Sequence, residues 1–219
     1  YLDYVVTDNA SPNDRLTVTA NKIEVDEMNR VENVYAQLDR GVDYYDFSFN
    51  HKYKITQTAN TNITAVSVPW GMWDSDVSAA VAQAGGDDMM FTWHRDRAAG
   101  SNELWAFERD NGTNYSDGWI SMVVSTPYWV NAHRDLDVGT YGTLYHLIYS
   151  DAFSTLIDTL TVTLHTAIMK PRRQFAVSSW NSGHVGYKVS LDIENLDLQE
   201  ATGAGIPIIM HHRRQMGIS

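Results

Sequence analysis

YDFSFNHKYKI, residues 45 to 55, places Tyr45, Phe47, Phe49, Tyr53 and Ile55 at odd positions and polar residues at every even one. A period of two describes a strand with one face buried and one exposed. Upstream, Leu16, Val18 and Ala20 alternate in the same way. Downstream, ELWAFER (103 to 109), TLYHLIYS (143 to 150) and TLIDTLTVTL (155 to 164) are rich in the β-branched and aromatic residues that strands favour. Turn-forming clusters separate these runs: SPND at 11 to 14, AGGDD at 84 to 88, RDNGTNYSDG at 109 to 118 and NSG at 181 to 183.

In VGYKVSLDIENLDLQ the residues Val185, Tyr187, Val189, Leu191 and Ile193 are odd, whereas Leu196 and Leu198 are even. A change of parity within one strand predicts a β-bulge near Glu194 and Asn195; the alternative is a strand that ends at Ile193. The strongest helical stretch is VSAAVAQA, Val77 to Ala84, with Asp74 and Asp76 as candidate caps, although eight residues suit a loop turn equally well. About ten strands with a turn every 8 to 12 residues, and no alternation with helices, predict an all-β chain. The expected fold is an antiparallel β-sandwich, or jelly roll, over residues 1 to 200.

The chain has 219 residues, a length that suits one large all-β domain. It contains no cysteine, which excludes disulfides, thiolate metal sites and a cysteine nucleophile. A formal net charge of -11 opposes non-specific binding to nucleic acid. No apolar run approaches the roughly 18 residues of a membrane span. The opening YLDYVVTDNASPND has neither the basic nor the apolar region of a signal peptide.

Residues 201 to 219, ATGAGIPIIMHHRRQMGIS, break the strand pattern. Gly203 and Gly205 make a flexible exit. Ile206, Ile208, Ile209 and Met210 are apolar, and Arg213 and Arg214 are basic on an acidic protein. An apolar-basic extension is expected to dock, either on its own domain or on a neighbouring subunit.

YSDAFSTLIDTLTVTLH (149 to 165), preceded by STPYWVNAHRD (125 to 135), resembles the concanavalin A-like lectin/glucanase superfamily in its laminin-G-like form. So do the opening DRLTVTANKIEV (14 to 25), the turn DNGTNYSD (110 to 117) and the closing IENLDLQE (193 to 200). The resemblance covers residues 1 to 200 and implies two stacked antiparallel sheets, one of them concave. That form recurs in phage and environmental viral proteins, which implies a virion surface or an extracellular location. The superfamily includes lectins, glucanases and adhesion modules, so the residues themselves must choose among them.

A hydrolase needs two carboxylates flanking the scissile bond, and the glucanases of this superfamily carry theirs at alternating positions of one strand. Glu194, Asp197 and Glu200 are spaced three and three, which sends Asp197 to the opposite face, and Glu103 and Glu108 also differ in parity. Neither set supports hydrolysis. A sugar-binding face needs aromatic platforms beside polar groups. Trp93, His94 and Arg95, then Trp105 with Phe107 and Arg109, then Trp129 with Asn131 and His133 are the candidates; core tryptophans with solvated polar ends are the alternative. Calcium, which the resemblance implies, would draw on Asp74, Asp76, Asp87, Asp88, Asp110 and Asn114, but their spacing fits no complete loop signature. No HxH or HExxH motif occurs, so no metal centre or other cofactor is expected.

The expected function is a non-enzymatic interaction module on a virion, as a capsid decoration or fibre component, with a secreted carbohydrate-binding module as the alternative and a glucanase as the third. The expected partners are other copies of the chain or a capsid protein through the tail, and a surface glycan. Deleting residues 201 to 219 should abolish self-assembly and leave the domain folded. Solution mass and circular dichroism read both, and an unchanged mass would refute the docking role.

Overall fold

The computed structural model describes residues 4–10, 12–29, 32–39, 48–59, 66–95, 102–165, 173–180 and 188–200, with side chains up to residue 194 in the last of these. Two antiparallel sheets form a sandwich. Sheet A runs, from edge to edge, Val5–Asp8 (β1), Val34–Asp39 (β4), Arg173–Ser179 (β14), Val66–Trp73 (β6), Met89–Arg95 (β7), Asn102–Asp110 (β8) and Trp119–Met122 (β10). Thr113–Tyr115 (β9) also pairs with β8. Sheet B runs Leu156–Thr163 (β13), Thr143–Tyr149 (β12), Pro127–Asp135 (β11), Phe49–Ala59 (β5), Lys188–Glu200 (β15), Lys22–Asn29 (β3) and Leu16–Val18 (β2). The all-β sandwich expected from the alternation is the observed fold.

Local chemistry explains most boundaries. β8 and β9 are joined through Asn111 (φ 45) and Gly112 (φ 83), the two positive-φ positions of a tight hairpin turn. In β5 the odd residues Phe49, His51, Tyr53, Ile55 and Gln57 are buried and the even ones up to Thr56 are partly exposed. In β15 the register shifts between Glu194 and Asp197, where the change of parity places a bulge, and the strand continues to Glu200. The expected helix is real but shorter, Ala79–Gly85 (α1), with Ser78 at its start and Gly86 (φ 89) at its end. Asp74 and Asp76 do not cap it; Asp76 Oδ1 instead accepts hydrogen bonds from the Tyr35 hydroxyl (3.2 Å) and Gln37 Nε2 (3.3 Å). The turn expected at 181 to 183 and the tail at 201 to 219 lie outside the described residues.

Between the sheets lies the main core, including Ile23, Tyr53, Ile55, Val130, Leu144 and Ile148 from sheet B and Trp70, Met72, Met90 and Leu104 from sheet A. A second cluster covers the outer face of sheet A, where Trp73, Phe91, Phe175 and Trp180 pack with Ala79 and Ala82 of α1. β6 is therefore buried along its whole length, and a strand covered on both faces has no alternation to read. Pro69 fits this central strand because it falls where the register shifts, between Ser67 and Trp70. Gly71 must lack a side chain, since a Cβ there would stand 2.5 Å from the Trp73 ring, which stacks on Phe175 at 3.5 Å.

Polar groups also cross the interior. The Tyr53 hydroxyl of β5 meets Thr92 Oγ1 of β7 at 2.7 Å, and Thr92 Oγ1 meets His146 Nε2 of β12 at 2.7 Å. Trp70 Nε1 donates to His51 Nδ1 at 3.2 Å, and His94 Nε2 lies 3.2 Å from Gln57 Oε1. His94, which follows Trp93 in sequence, thus faces inward rather than joining it on the outer surface.

Burial lowers the pKa of His94 to about 4 and that of His146 to about 3. Both are neutral in the fold, whereas in the unfolded chain they take protons below about pH 6.5. Stability contributed by the neutral pair is full above pH 7, and is lost as pH falls toward the folded values. Glu108, raised by burial, works in the opposite sense as its proton comes off. Lowering the pH from 7 to 5 should cost on the order of 3 kcal/mol from the two histidines. Urea midpoints at the two pH values, read in a Glu108→Gln background that removes the opposing carboxyl, measure it; equal midpoints there would contradict the buried neutral pair.

Candidate functional site

Alternation along β11 sends Tyr128, Val130, Ala132 and Arg134 inward and Trp129, Asn131 and His133 to the outer face of sheet B. Antiparallel register then sets their neighbours. Trp129 lies between Tyr149 of β12 and Lys54 of β5, Asn131 between Leu147 and Lys52, and His133 between Tyr145 and Asn50. The outer face of three adjacent strands therefore carries aromatic rings, amides and ammonium groups side by side.

Contacts on this face are specific. The His133 and Tyr145 rings stack at 4.8 Å with 15° between their planes. Lys54 Nζ lies 5.7 Å from the centroid of the Trp129 ring and 2.6 Å from Glu194 Oε2. Lys52 Nζ lies 5.2 Å from the centroid of the Phe153 ring, which meets Tyr149 edge-on at 5.7 Å. Burial lowers the His133 pKa, which favours the neutral imidazole. Asn50 Oδ1, Asn131 Oδ1 and His133 Nδ1 are buried and take part in no hydrogen bond.

Phe153 reaches this face from the loop between β12 and β13, with φ 65, a conformation costly for a bulky residue. Asp151 holds it there, its carboxylate accepting from the amides of Ser154 (3.0 Å) and Thr155 (2.8 Å) and from the Thr155 hydroxyl (2.8 Å). These bonds lower the Asp151 pKa to about 2.

Trp93, Trp105, Trp119 and Trp180 stand on the far side of the molecule. Leu104 and Ala106 of β8 face the core, so Trp105, Phe107 and Arg109 point out of sheet A. Trp93, Trp105 and Trp119 are register neighbours across β7, β8 and β10, with ring centroids 6.1 Å apart at each step. Trp180 continues the row, 6.3 Å from Trp93. Their rings tilt against one another, and Trp93 and Trp180 pack on the second cluster while Trp119, at the edge, is exposed. Arg109 is held by Asn114 Oδ1 (2.9 Å) and the Gln83 carbonyl (3.3 Å). The residues expected to bind sugar therefore divide between two opposite faces: Trp93, Trp105 and Arg109 on sheet A, and Trp129, Asn131 and His133 on sheet B. One groove cannot contain both sets.

Carboxylates are committed elsewhere. Asp192 and Glu194 share the outer face of β15, but Asp192 pairs with Lys22 (3.3 Å) and Glu194 with Lys54. Glu103 and Glu108 take opposite faces, as their parity implies; Glu108, fully buried, accepts from the backbone amide of His165 at 2.9 Å and meets its Nδ1 at 2.8 Å. Among the loop oxygens considered for calcium, Asp87 accepts from the Ser75 hydroxyl and Asp88 from the Asn111 amide (2.9 Å). Among the described residues no group of three or more His, Asp or Glu is placed to hold a metal ion. The tail residues Ile206, Ile208, Ile209, Met210, Arg213 and Arg214 lie outside the described residues.

Sequence reasoning did not single out Lys52, Lys54, Tyr145, Tyr149, Phe153 or Asp192. The parity of β5 and β12 already put the first four on outer faces. Their meeting with β11 depends on strand order, which is non-local.

The chain has the concanavalin A-like lectin/glucanase β-sandwich fold. Alginate lyase Aly36B superposes with a TM-score of 0.57 at 11% identity, over 85% of this chain and 83% of the lyase. A legume lectin-like domain from Entamoeba histolytica gives 0.57 at 11% identity, over 91% of each chain. An endo-β-1,4-glucuronan lyase from the fungus Trichoderma reesei gives 0.54 at 8% identity, over 90% of each. No protein-family model and no curated protein sequence matches the chain. The fold is thus shared with lectins and with polysaccharide lyases.

The Ser154 and Thr155 amides should stay protected from hydrogen exchange at pH 4, because Asp151 remains ionised there. Asp151→Ala should remove that protection and leave β5 and β11 unchanged. Loss of protection already at pH 4 in the unsubstituted protein would contradict the role given to Asp151.

Proposed function

We propose that the protein is a carbohydrate-binding module that holds a polysaccharide across the outer face of β5, β11 and β12 without cleaving it. The observation that carries this reading is the register of Trp129, Asn131 and His133 beside Lys52, Tyr145 and Tyr149. Flat rings take up the apolar faces of sugar rings, and amides and ammonium groups answer their hydroxyls. Three strands at about 4.8 Å spacing give a platform about 10 Å wide, broad enough for an extended glycan.

A binding role without turnover has its own support. The buried Nδ1 of His133 has no partner to orient the imidazole, and a general base normally has one. Asp192 and Glu194, on the neighbouring strand β15, are each tied to a lysine. The reading extends to display of the module on a virion or another extracellular surface through the tail, as the sequence resemblance implies.

A second reading, a polysaccharide lyase, is favoured by one observation: a largely neutral imidazole stacked on the phenol of Tyr145, next to Asn131. A base and an acid so placed suit proton abstraction and leaving-group protonation.

Affinity electrophoresis against a panel of neutral and acidic polysaccharides tests both. Binding is expected, with Trp129→Ala weakening it at least about tenfold, the usual loss when a stacking aromatic is removed, and Trp105→Ala leaving it unchanged. Absence of binding to every polysaccharide would refute the module. An unsaturated product whose release is abolished by Tyr145→Phe would replace it with the lyase.

A further inference from the structure

Resting on that binding face, we infer that it recognises an anionic sugar, whose acidic group sits at Lys52 and whose hydroxyls donate to Asn131. Four described lysines stand on the outer face of sheet B, and three of them are neutralised, Lys188 by Glu27. Lys54 pairs with Glu194, and Lys22 pairs with both Asp192 and Glu24. Lys52 is different. Its ammonium rests near the Phe153 ring, and no described carboxylate pairs with it; the side chain of Asp197, opposite it in register on β15, lies outside the described ones. A cation set against an aromatic ring stays available to an anion approaching from the open side.

The neighbours of Lys52 point to a sugar rather than to a simple ion. Asn131, opposite Lys52 in register, is 9% exposed, and its Oδ1 takes part in no hydrogen bond. A buried carbonyl oxygen in want of a donor is costly, and a ligand hydroxyl relieves it. Asn50, next along the outer face of β5, leaves its Oδ1 in the same condition. Sulfate or chloride has no donor for either amide oxygen. A sugar bearing an acidic group has hydroxyls for the amides and a charge for the ammonium.

Carboxylate and sulfate esters share this chemistry. With a net charge of -11 the whole protein repels a polyanion at long range, so the preference must arise from short-range contact at Lys52. A charge-assisted hydrogen bond at one lysine is worth roughly tenfold or more in affinity.

Calorimetric titration of the full chain provides the test. The ligands are alginate and polygalacturonate, the same two polymers after esterification of their carboxyl groups, a sulfated glucan and its unsulfated parent. At least one acidic polymer is expected to bind about tenfold more tightly than its uncharged counterpart. Lys52→Gln should erase that ratio, and Lys52→Arg should keep it. Preference for a polyuronate over its ester assigns a carboxylate to the site; preference for the sulfated over the plain glucan assigns a sulfate. Equal binding of charged and uncharged polymers, or a ratio unmoved by Lys52→Gln, would overturn the inference and leave the binding face standing. No binding by any of the six polymers would remove both.

Discussion

The hydrogen bonds that cross the interior set the position of everything else. Tyr53, Thr92 and His146 form one chain between the sheets, flanked by Trp70 with His51 and by His94 with Gln57. Slipping β5 by one residue would strand these groups at about 1–3 kcal/mol each and turn Lys52 and Lys54 into the core. The interior pairing is therefore what holds the lysines on the outside. The binding face follows from the core rather than being added to it.

Strand order completes that face. β12, β11 and β5 are adjacent in sheet B, but β5 is far from the other two in sequence. Antiparallel register brings Tyr145, His133 and Asn50 into one row and Leu147, Asn131 and Lys52 into the next. The loop carrying Phe153 is secured by Asp151, so an exposed part of the face also has a defined shape. Sheet A solves the opposite problem. Its outer face is covered by α1 and by a row of tryptophans, and its aromatic rings stabilise the fold by packing on one another.

Much of this was legible in the residues themselves. Alternation in YDFSFNHKYKI and the change of parity around Glu194 were local signals. β5 matches the first from Phe49 to Ile55, Tyr45 and Phe47 lying outside the described residues, and the bulge in β15 matches the second. β6 escaped notice because burial on both faces erases a period of two. The candidate site was half legible, for a reason of geometry. Parity says which residues of one strand share a face, so Trp129, Asn131 and His133 were rightly grouped, as were Trp105 and Arg109. It does not say to which sheet a strand belongs, and β8 and β11 lie in different sheets. Lys52 and Tyr145 joined the site only through long-range pairing.

Amide shift mapping of the labelled protein during titration with a bound oligosaccharide tests the location of the site most directly. Shifts should concentrate at Lys52, Trp129, Asn131, His133 and Tyr145, with the Trp105 and Trp119 indole signals unmoved. Shifts confined to the tryptophan row of sheet A would contradict it.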